Sequence, residues 1–345
     1  MSELVSRRIQ LDDTEDVMEY MYRQGFTDGL PVVPPTEEKV LALLKAAGVD
    51  HDLIIGAIPE RNRIITAEKL AVNAVMAGCL EAFFPVVITA VKAMCDPAFG
   101  LHGPSASTAG AAILVIVNGP VAEQVGMNNG QNLFGPGRRA NATIGRAISL
   151  AMLNLGGPEF DRSTLGHPGK FTYCIAEDET TAWVPLHVQR GFSPERSTVT
   201  VFAAEAPNQV QNHSASKGEE ILMTIADRMT ALGTFNMLGS CQCALVICQE
   251  HYQTLAAQGW DKKQVQQFLY EKARRPLSDL EPCGLVTRTQ ESGATEITAV
   301  PSPEDILLLV AGGEAGRFSA FIPGWSGINS SRAVTQEITG CAGGT

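Results

Sequence analysis

The sequence lacks the long apolar runs of membrane-spanning proteins and the basic excess of nucleic-acid-binding proteins. Its longest apolar stretches, such as 109–117 and 306–311, are too short to cross a bilayer. Twenty-six Lys and Arg residues against 37 Asp and Glu give a net charge of −11. This charge argues against nucleic acid or an anionic membrane as the main partner. It is compatible with a local basic pocket for an anionic substrate.

The amino-terminal segment also lacks the apolar stretch of a signal peptide, because residues 1–24 are of mixed charge throughout. We therefore expect a cytoplasmic protein. An intracellular chain usually keeps its thiols reduced, so the eight cysteines are interpreted as free thiols.

The chain does contain enough apolar side chain for a sizeable core. Hydrophobic residues make up 45% and charged residues 18% of the 345 residues, which excludes a disordered chain. The length suits one large domain or two ordinary ones. The 33 Gly and 19 Pro residues follow no period, which excludes collagen and indicates many structured loops.

Short apolar and β-branched runs predict buried strands. These runs lie at 111–120, 197–207, 243–251 and 306–316. Helical patterns follow several of them, so we expect an α/β or layered α+β fold built of strand–turn–helix units. The units look alike, but their spacing is irregular, whereas true repeats share a fixed period. The sequence therefore argues against an internal duplication.

Two regions are expected along the chain. Residues 1–100 predict a mainly helical region with a Pro-rich loop at 25–36, and residues 101–345 predict the α/β core. The two regions are also compatible with one continuous domain. An Ala-rich helix at 71–80 is suited to packing across a two-fold axis, which is compatible with a homo-oligomer.

A loop rich in Gly, Asn and Arg precedes a predicted helix in the segment 126–150. The N–H groups of a helix start, together with guanidinium groups, bind carboxylate or phosphate. The alternative is a well-hydrogen-bonded loop with surface arginines. The Gly spacing matches neither a Walker loop nor a dinucleotide fingerprint, so no nucleotide cofactor is predicted. The expected substrate-binding residues here are Asn128, Asn129, Arg138, Arg139 and Asn141.

Arg332 is a further substrate-binding candidate, because it lies in the Gly-bearing segment 323–336 and arginine can clamp a carboxylate. Ordinary loop packing explains this position equally well.

Acid–base groups cluster in the segment 165–179, which holds His167, Lys170 and Glu177. Histidine titrates near neutrality, and lysine can bind or polarise an anion. Glu177 and Glu179 would share one face of a strand, where paired carboxylates raise one pKa or hold a metal. The alternative is a turn at His167 beside solvated glutamates.

His102 is a second candidate acid or base, although a lone histidine in a turn is more often structural. Because catalytic groups must share one reacting site, we expect His102, His167 and Arg138 to lie within about 10 Å of each other. No standard ligand spacing is present, so no cofactor is predicted, while a metal held by His and Glu stays compatible with the sequence.

Cys241 and Cys243 form a C-x-C pair. A redox pair, a partial metal or iron–sulfur site, and two small core residues are the competing interpretations. The spacing supplies no second metal-binding pair, so the core interpretation is favoured.

Several motifs together resemble a largely uncharacterised bacterial family that is associated with gene neighbourhoods of UGSC-type (seleno)proteins. They include TDGLPVVPPT (27–36), FGPGRRANATIGRA (134–147) and GHPGKFT (166–172). The resemblance covers most of the chain and implies a two-component system in which a partner supplies a reactive thiol or selenol. LGSC at 238–241 is similar to the UGSC motif with Leu in the reactive first position, a departure that argues against a direct redox role for Cys241.

The leading hypothesis is an enzyme that acts on a small anionic or polar metabolite by acid–base chemistry, as a lyase or hydrolase. One alternative is a thiol-dependent oxidoreductase component that works with a thiol or selenol partner protein. Another is a non-catalytic partner subunit whose polar loops form an interface.

Overall fold

The computed structural model describes residues 4–12, 15–157, 162–285, 293–326 and 330–339. It shows a mixed α/β fold, which confirms the predicted class. The helices are α1 Val17–Arg23, α2 Glu37–Ala47, α3 Ala67–Ala77, α4 Phe84–Met94, α5 His102–Ala106, α6 Val121–Gln124, α7 Arg139–Leu155, α8 Leu186–Gln189, α9 Gly218–Met229, α10 Phe235–Gly239, α11 Gln249–Ala257 and α12 Lys262–Lys272. The strands are β1 Ile54–Ile58, β2 Arg63–Thr66, β3 Ala112–Asn118, β4 Cys174–Ala176, β5 Thr198–Ala204, β6 Asn208–Gln211, β7 Cys243–Ile247, β8 Arg274–Pro276, β9 Glu296–Thr298, β10 Ile306–Val310, β11 Phe318–Pro323 and β12 Val334–Glu337.

Two four-stranded sheets share one topology. The first has the order β12-β5-β3-β4 and the second the order β6-β11-β7-β10. In each sheet the central strand pairs parallel with one neighbour and antiparallel with the other: β3 with β4 and β5, and β7 with β10 and β11. The irregular spacing of the apolar runs argued against a duplication. The structure nevertheless contains two halves with the same strand order.

The halves exchange their last strands. β6 follows the first half along the chain but pairs with β11 of the second sheet. β12 follows the second half but pairs with β5 of the first sheet. Each sheet is therefore completed by a strand from the other half.

The sheets stack face to face between two helical layers. Along β3, Leu114 and Ile116 lie in a hydrophobic cluster shared by the two sheets, whereas Val115 and Val117 lie in a cluster with α3, α4 and α7. This alternation follows from the two-residue period of a strand. A third cluster joins the outer face of the second sheet to α9, α11 and α12. The result is a four-layer αββα arrangement.

The amino-terminal helices belong to this arrangement. Helix α3 contacts α7, and α4 packs on β5 and β12, in the same hydrophobic cluster as the first sheet. This packing favours the continuous-domain alternative over a boundary near residue 100. The Ala-rich helix expected to pack across a two-fold axis is α3, whose residues are almost all buried within the chain. The described residues include no helix long and apolar enough to cross a membrane.

Candidate functional site

A groove of about 1470 Å³ lies between the loop 182–192, helix α12 and the outer strands of the two sheets. Ile306 and Leu307 of β10 line it on one side and Thr335 of β12 on the other. Both strands are the last in their sheets, so the groove occupies the gap between two open sheet edges. Its volume exceeds that of typical small-ligand pockets, so a small metabolite would fill only part of it. We call it the α12 groove.

Lys262 lies in the wall of this groove as the first residue of α12. A capping box fixes the helix start, because the Asp261 side chain accepts from the Gln264 N–H and the Gln264 side chain accepts from the Asp261 N–H. The Lys262 Nζ lies 3.0 Å from Oε1 of Glu177 and donates to the carbonyl of Val184 at 2.9 Å. The capped helix start thereby places the Lys262 side chain against the carboxylate of Glu177, which belongs to the other half.

This ion pair is almost completely buried, with side-chain exposures of 3% for Lys262 and 4% for Glu177. Burial lowers the pKa of Lys262 below its usual value, and the charge of Glu177 opposes that shift. A buried lysine with a lowered pKa gives up its proton more readily than an exposed lysine does. The pair is therefore the main acid–base feature of the groove.

The second oxygen of Glu177 is held by two N–H donors. Oε2 accepts from the Asn118 amide and from the Leu186 N–H, both at 2.7 Å. The same Asn118 nitrogen donates to Oε1 of Glu179 at 2.9 Å. The two glutamates expected to act as a pair thus lie beyond the end of β4 and are joined through an amide. Among the described residues, no group of three or more His, Cys, Asp or Glu side chains is placed to hold a metal ion.

His187 lies beside this network. It is completely buried on α8, and its Nδ1 lies 3.8 Å from Oε1 of Glu179. Lys262, Asn118 and His187 were not predicted from the sequence. An Asn at the end of a core strand was the one usable signal, since polar groups at strand ends often form sites.

The other end of the groove carries two arginines. Arg190 donates from Nε to the Thr335 hydroxyl and from Nη2 to the carbonyl of Ala333 at 2.8 Å. Arg332 donates from Nη2 to Oδ1 of Asp305 at 3.2 Å, and its side chain is half exposed. Burial lowers the pKa of Arg190, and the nearby charge of Arg332 adds to the effect. The structure therefore places the predicted Arg332 in the groove, together with an arginine that was not predicted.

The Asn-rich loop hydrogen-bonds mainly to itself and to the strands beside it. The Asn128 N–H donates to Oδ1 of Asn141 at 2.7 Å, and the Asn141 amide donates back to the Asn128 carbonyl at 3.0 Å. The Asn129 amide donates to the Glu177 carbonyl at 3.4 Å. Arg139 donates to the Gly78 carbonyl, and Arg138 is exposed. These contacts fit the hydrogen-bonded-loop alternative, and an anion site here stays a prediction.

His167 caps a short turn. Its Nδ1 accepts from the Gly169 N–H at 3.1 Å, and Nε2 lies 3.4 Å from the Ala204 carbonyl. Because a carbonyl only accepts, Nε2 carries the proton and the ring is neutral. Burial lowers the pKa of His167, and the charge of Lys170 adds to this effect. These contacts fit the turn alternative, so a catalytic role for His167 stays a prediction.

Two of the three groups expected to converge, His102 and Arg138, lie near opposite ends of α7. Leu101 and Ser105, which flank His102, line a small cavity with Lys170 and with Met152 near the end of α7. Gly166, beside His167, approaches Gly110 just before β3. Arg138 precedes the start of α7, about 20 Å from Met152 at 1.5 Å per residue. The structure therefore does not bring Arg138 together with His102, while the proximity of Arg138 and His167 stays a prediction.

Both cysteines of the C-x-C pair are buried, Cys241 at 2% and Cys243 at 0% exposure. Burial raises the pKa of each thiol well above its usual value, so neither ionises readily. This environment is typical of core cysteines and opposes a thiolate role. Redox chemistry at this pair stays a prediction.

In comparisons with known proteins, no family model and no curated protein matches the chain. Its function must therefore be argued from the groove itself.

Proposed function

We propose that the protein is an enzyme that acts by acid–base chemistry on a small anionic or polar metabolite bound in the α12 groove, as a lyase or hydrolase. The observation that carries this proposal is the buried ion pair that Lys262, in the groove wall, makes with Glu177, with the pKa of Lys262 lowered by burial. Ionisable groups with strongly perturbed environments concentrate at catalytic sites.

In this proposal Lys262 is the proton carrier. As an ammonium group it donates a proton to the departing group as the bond to that group breaks. The amine that remains then takes up the proton released by the substrate carbon in a lyase reaction, or by the attacking water in a hydrolase reaction. Glu177 lies 3.0 Å away and stabilises the charged form of Lys262 in each cycle. Its other oxygen accepts two N–H donors, which keeps the carboxylate oriented toward the lysine.

A purely structural ion pair is the main competing explanation. Burying two charges is costly, and apolar residues often stabilise such a position as well or better. A buried pair whose lysine lies in the wall of the α12 groove is therefore better explained by chemistry than by stability.

The two other hypotheses have less support. A partner subunit would present its polar groups on a flat surface, whereas Lys262, Arg190 and Arg332 line one concavity. A thiol oxidoreductase needs an accessible thiolate, whereas Cys241 and Cys243 are buried.

The experiment is a proton NMR screen in D₂O. The purified protein is incubated with defined mixtures of carboxylic, hydroxy and amide metabolites, and conversion or exchange of carbon-bound hydrogen is followed. We expect activity on at least one compound and a loss of about a hundredfold or more in Lys262→Met, the usual contribution of a general acid or base. Lys272→Met is the matched control, because Lys272 is an exposed residue at the far end of the same helix.

Loss of folding is separated from loss of chemistry by a second variant. Glu177→Gln/Lys262→Met removes both buried charges and is expected to stay folded while remaining inactive. Conversion at the wild-type rate by either variant, or no activity of the wild type on any compound, would overturn the proposal.

A further inference from the structure

Arg190 and Arg332 form the arginine end of the α12 groove. Arg190 bonds to the carbonyl of Ala333, the residue after Arg332, so the two guanidinium groups approach the same segment. Asp305 is the carboxylate that pairs with Arg332 there. Asp305 offsets one of the two charges, and the carboxylate of the adjacent Glu304 also lines the groove.

Asp305 is held in place by other donors and is not available to swing toward a ligand. Its Oδ1 accepts from the Gln242 amide and its Oδ2 from the Ser302 hydroxyl, both at 3.0 Å. The side-chain Oε1 of Gln242 accepts in turn from the Ala333 N–H at 2.7 Å. These contacts fix the segment that carries Arg332.

Both arginines retain donors for a ligand. Arg190 uses Nε and Nη2, and Arg332 uses Nη2, for the contacts described above. Within the described part of the chain, the Nη1 groups of both residues make no hydrogen bond to protein. Two guanidinium edges beside one cavity suit the planar, two-oxygen geometry of a carboxylate.

We propose that Arg190 and Arg332 form a carboxylate-binding subsite of the α12 groove and that the substrate is a short-chain carboxylic acid. This inference rests on the proposed function, since it assigns the substrate class of the same groove. Phosphate usually takes a helix start or a glycine loop, whereas the helix start in this groove is capped by Asp261.

The distance to Lys262 fixes the substrate's length class. Gln266 lies one turn after Lys262 on α12, a rise of about 6 Å. The Gln189 amide donates to the Gln266 side chain at 3.2 Å, and Arg190 is the next residue. The backbone of Arg190 therefore lies about one to two helical turns along α12 from Lys262, and a substrate that reaches both groups is expected to be a few carbon atoms long.

The test is calorimetric titration of the whole protein with succinate, glutarate and adipate. Glutaramide, the neutral diamide, and inorganic phosphate serve as comparison probes. We expect at least one dicarboxylate to bind and its affinity to fall about tenfold or more in Arg332→Met, the size of one charge-assisted hydrogen bond. Arg332→Lys should lie between the wild type and Arg332→Met.

Arg196→Met is the matched control, because Arg196 is an exposed arginine paired with Glu337 and does not line the groove. It should bind like the wild type. The proposal is overturned if no dicarboxylate binds, if glutaramide or phosphate binds as tightly, or if Arg332→Met and Arg196→Met behave alike.

The two proposals fail separately. Dicarboxylate binding that persists in Glu177→Gln/Lys262→Met, without turnover by the wild type, would support the subsite and contradict the catalytic proposal. Turnover that depends on Lys262, with a substrate whose binding is unchanged in Arg332→Met, would support the catalytic proposal and contradict the subsite.

Discussion

The two halves of the molecule share a strand order. They differ in the residues that follow the carboxyl ends of their parallel strands. Asn118 and Glu177 lie at the ends of β3 and β4, and both belong to a charged, buried network. Cys248 and Ala311 follow β7 and β10. The second half instead contributes Lys262, from the helix between its parallel strands. The two halves thus share a scaffold, and the candidate site lies where their residues differ.

The second half has a buried polar network of its own, but a neutral one. His251 is fully buried, with Nδ1 2.7 Å from the Ser319 hydroxyl and Nε2 3.1 Å from the Asn212 carbonyl. The Ser319 hydroxyl also accepts from the Cys248 N–H. Such a network stabilises packing, whereas the Lys262–Glu177 pair costs desolvation free energy.

The largest expected effect comes from breaking the charged pair. Lys262→Met leaves a buried carboxylate unpaired, and Glu177→Gln leaves a buried ammonium unpaired. Each should lower the free energy of unfolding by about 3–5 kcal/mol, measured by urea denaturation. The double variant should recover most of this loss. Additive effects of the two single variants would contradict the assignment of one coupled pair.

A smaller loss is expected from the neutral network. Ser319→Ala leaves His251 Nδ1 and the Cys248 N–H without a partner, which should cost about 1–3 kcal/mol in the same urea assay. Ser278→Ala, at an exposed position, is the control. Ligand binding in the α12 groove should not change. If Ser319→Ala unfolds like the wild type but loses ligand binding in the α12 groove, the two halves are coupled more tightly than we infer.

The neutral network should also respond to acid. Burial lowers the pKa of His251 in the folded state, so below about pH 6.5 the unfolded chain binds more protons than the folded one. The stabilising effect of the neutral His251 is therefore complete above about pH 6.5. It declines as the pH falls toward the pKa of His251 in the folded state. Urea denaturation across this range should show a shallower decline for His251→Gln than for the wild type. His213→Gln, at an exposed histidine, should keep the wild-type slope.

The smallest effect concerns the thiols of the second half. In native protein, the exposed Cys283 should react with Ellman's reagent at once, whereas the buried Cys241 and Cys243 should react only after denaturation. Peptide mapping by mass spectrometry assigns the labelled residues. Labelling of Cys241 as fast as Cys283 would revive the thiol-dependent alternative.

Much of the core could be predicted from the sequence. The apolar runs that begin at residues 111, 197, 243 and 306 correspond to β3, β5, β7 and β10. They were readable because strands buried on both faces are continuously apolar. Strands β4, β6 and β12 are only three or four residues long, too short to show a period. Without them, the shared order of the two sheets could not be predicted.

The site was predicted only in part. Glu177 and Arg332 were chosen for their residue types and loop positions, and both contribute to the groove. Lys262 and Lys263 are adjacent and chemically identical, yet the structure buries one and exposes the other. That difference arises from packing against Glu177, a residue far away along the chain. The sequence around Lys262 gives no indication of such a contact.

The exchanged strands have a consequence for how the chain folds. Val334 of β12 pairs with Val201 of β5, so the first sheet gains its outer strand only when the end of the chain has been synthesised. Pairings between strands so distant in sequence slow folding. They also prevent the first half from completing its fold on the ribosome ahead of the second. One polypeptide thus makes the contacts that a strand-swapped homodimer makes between two chains.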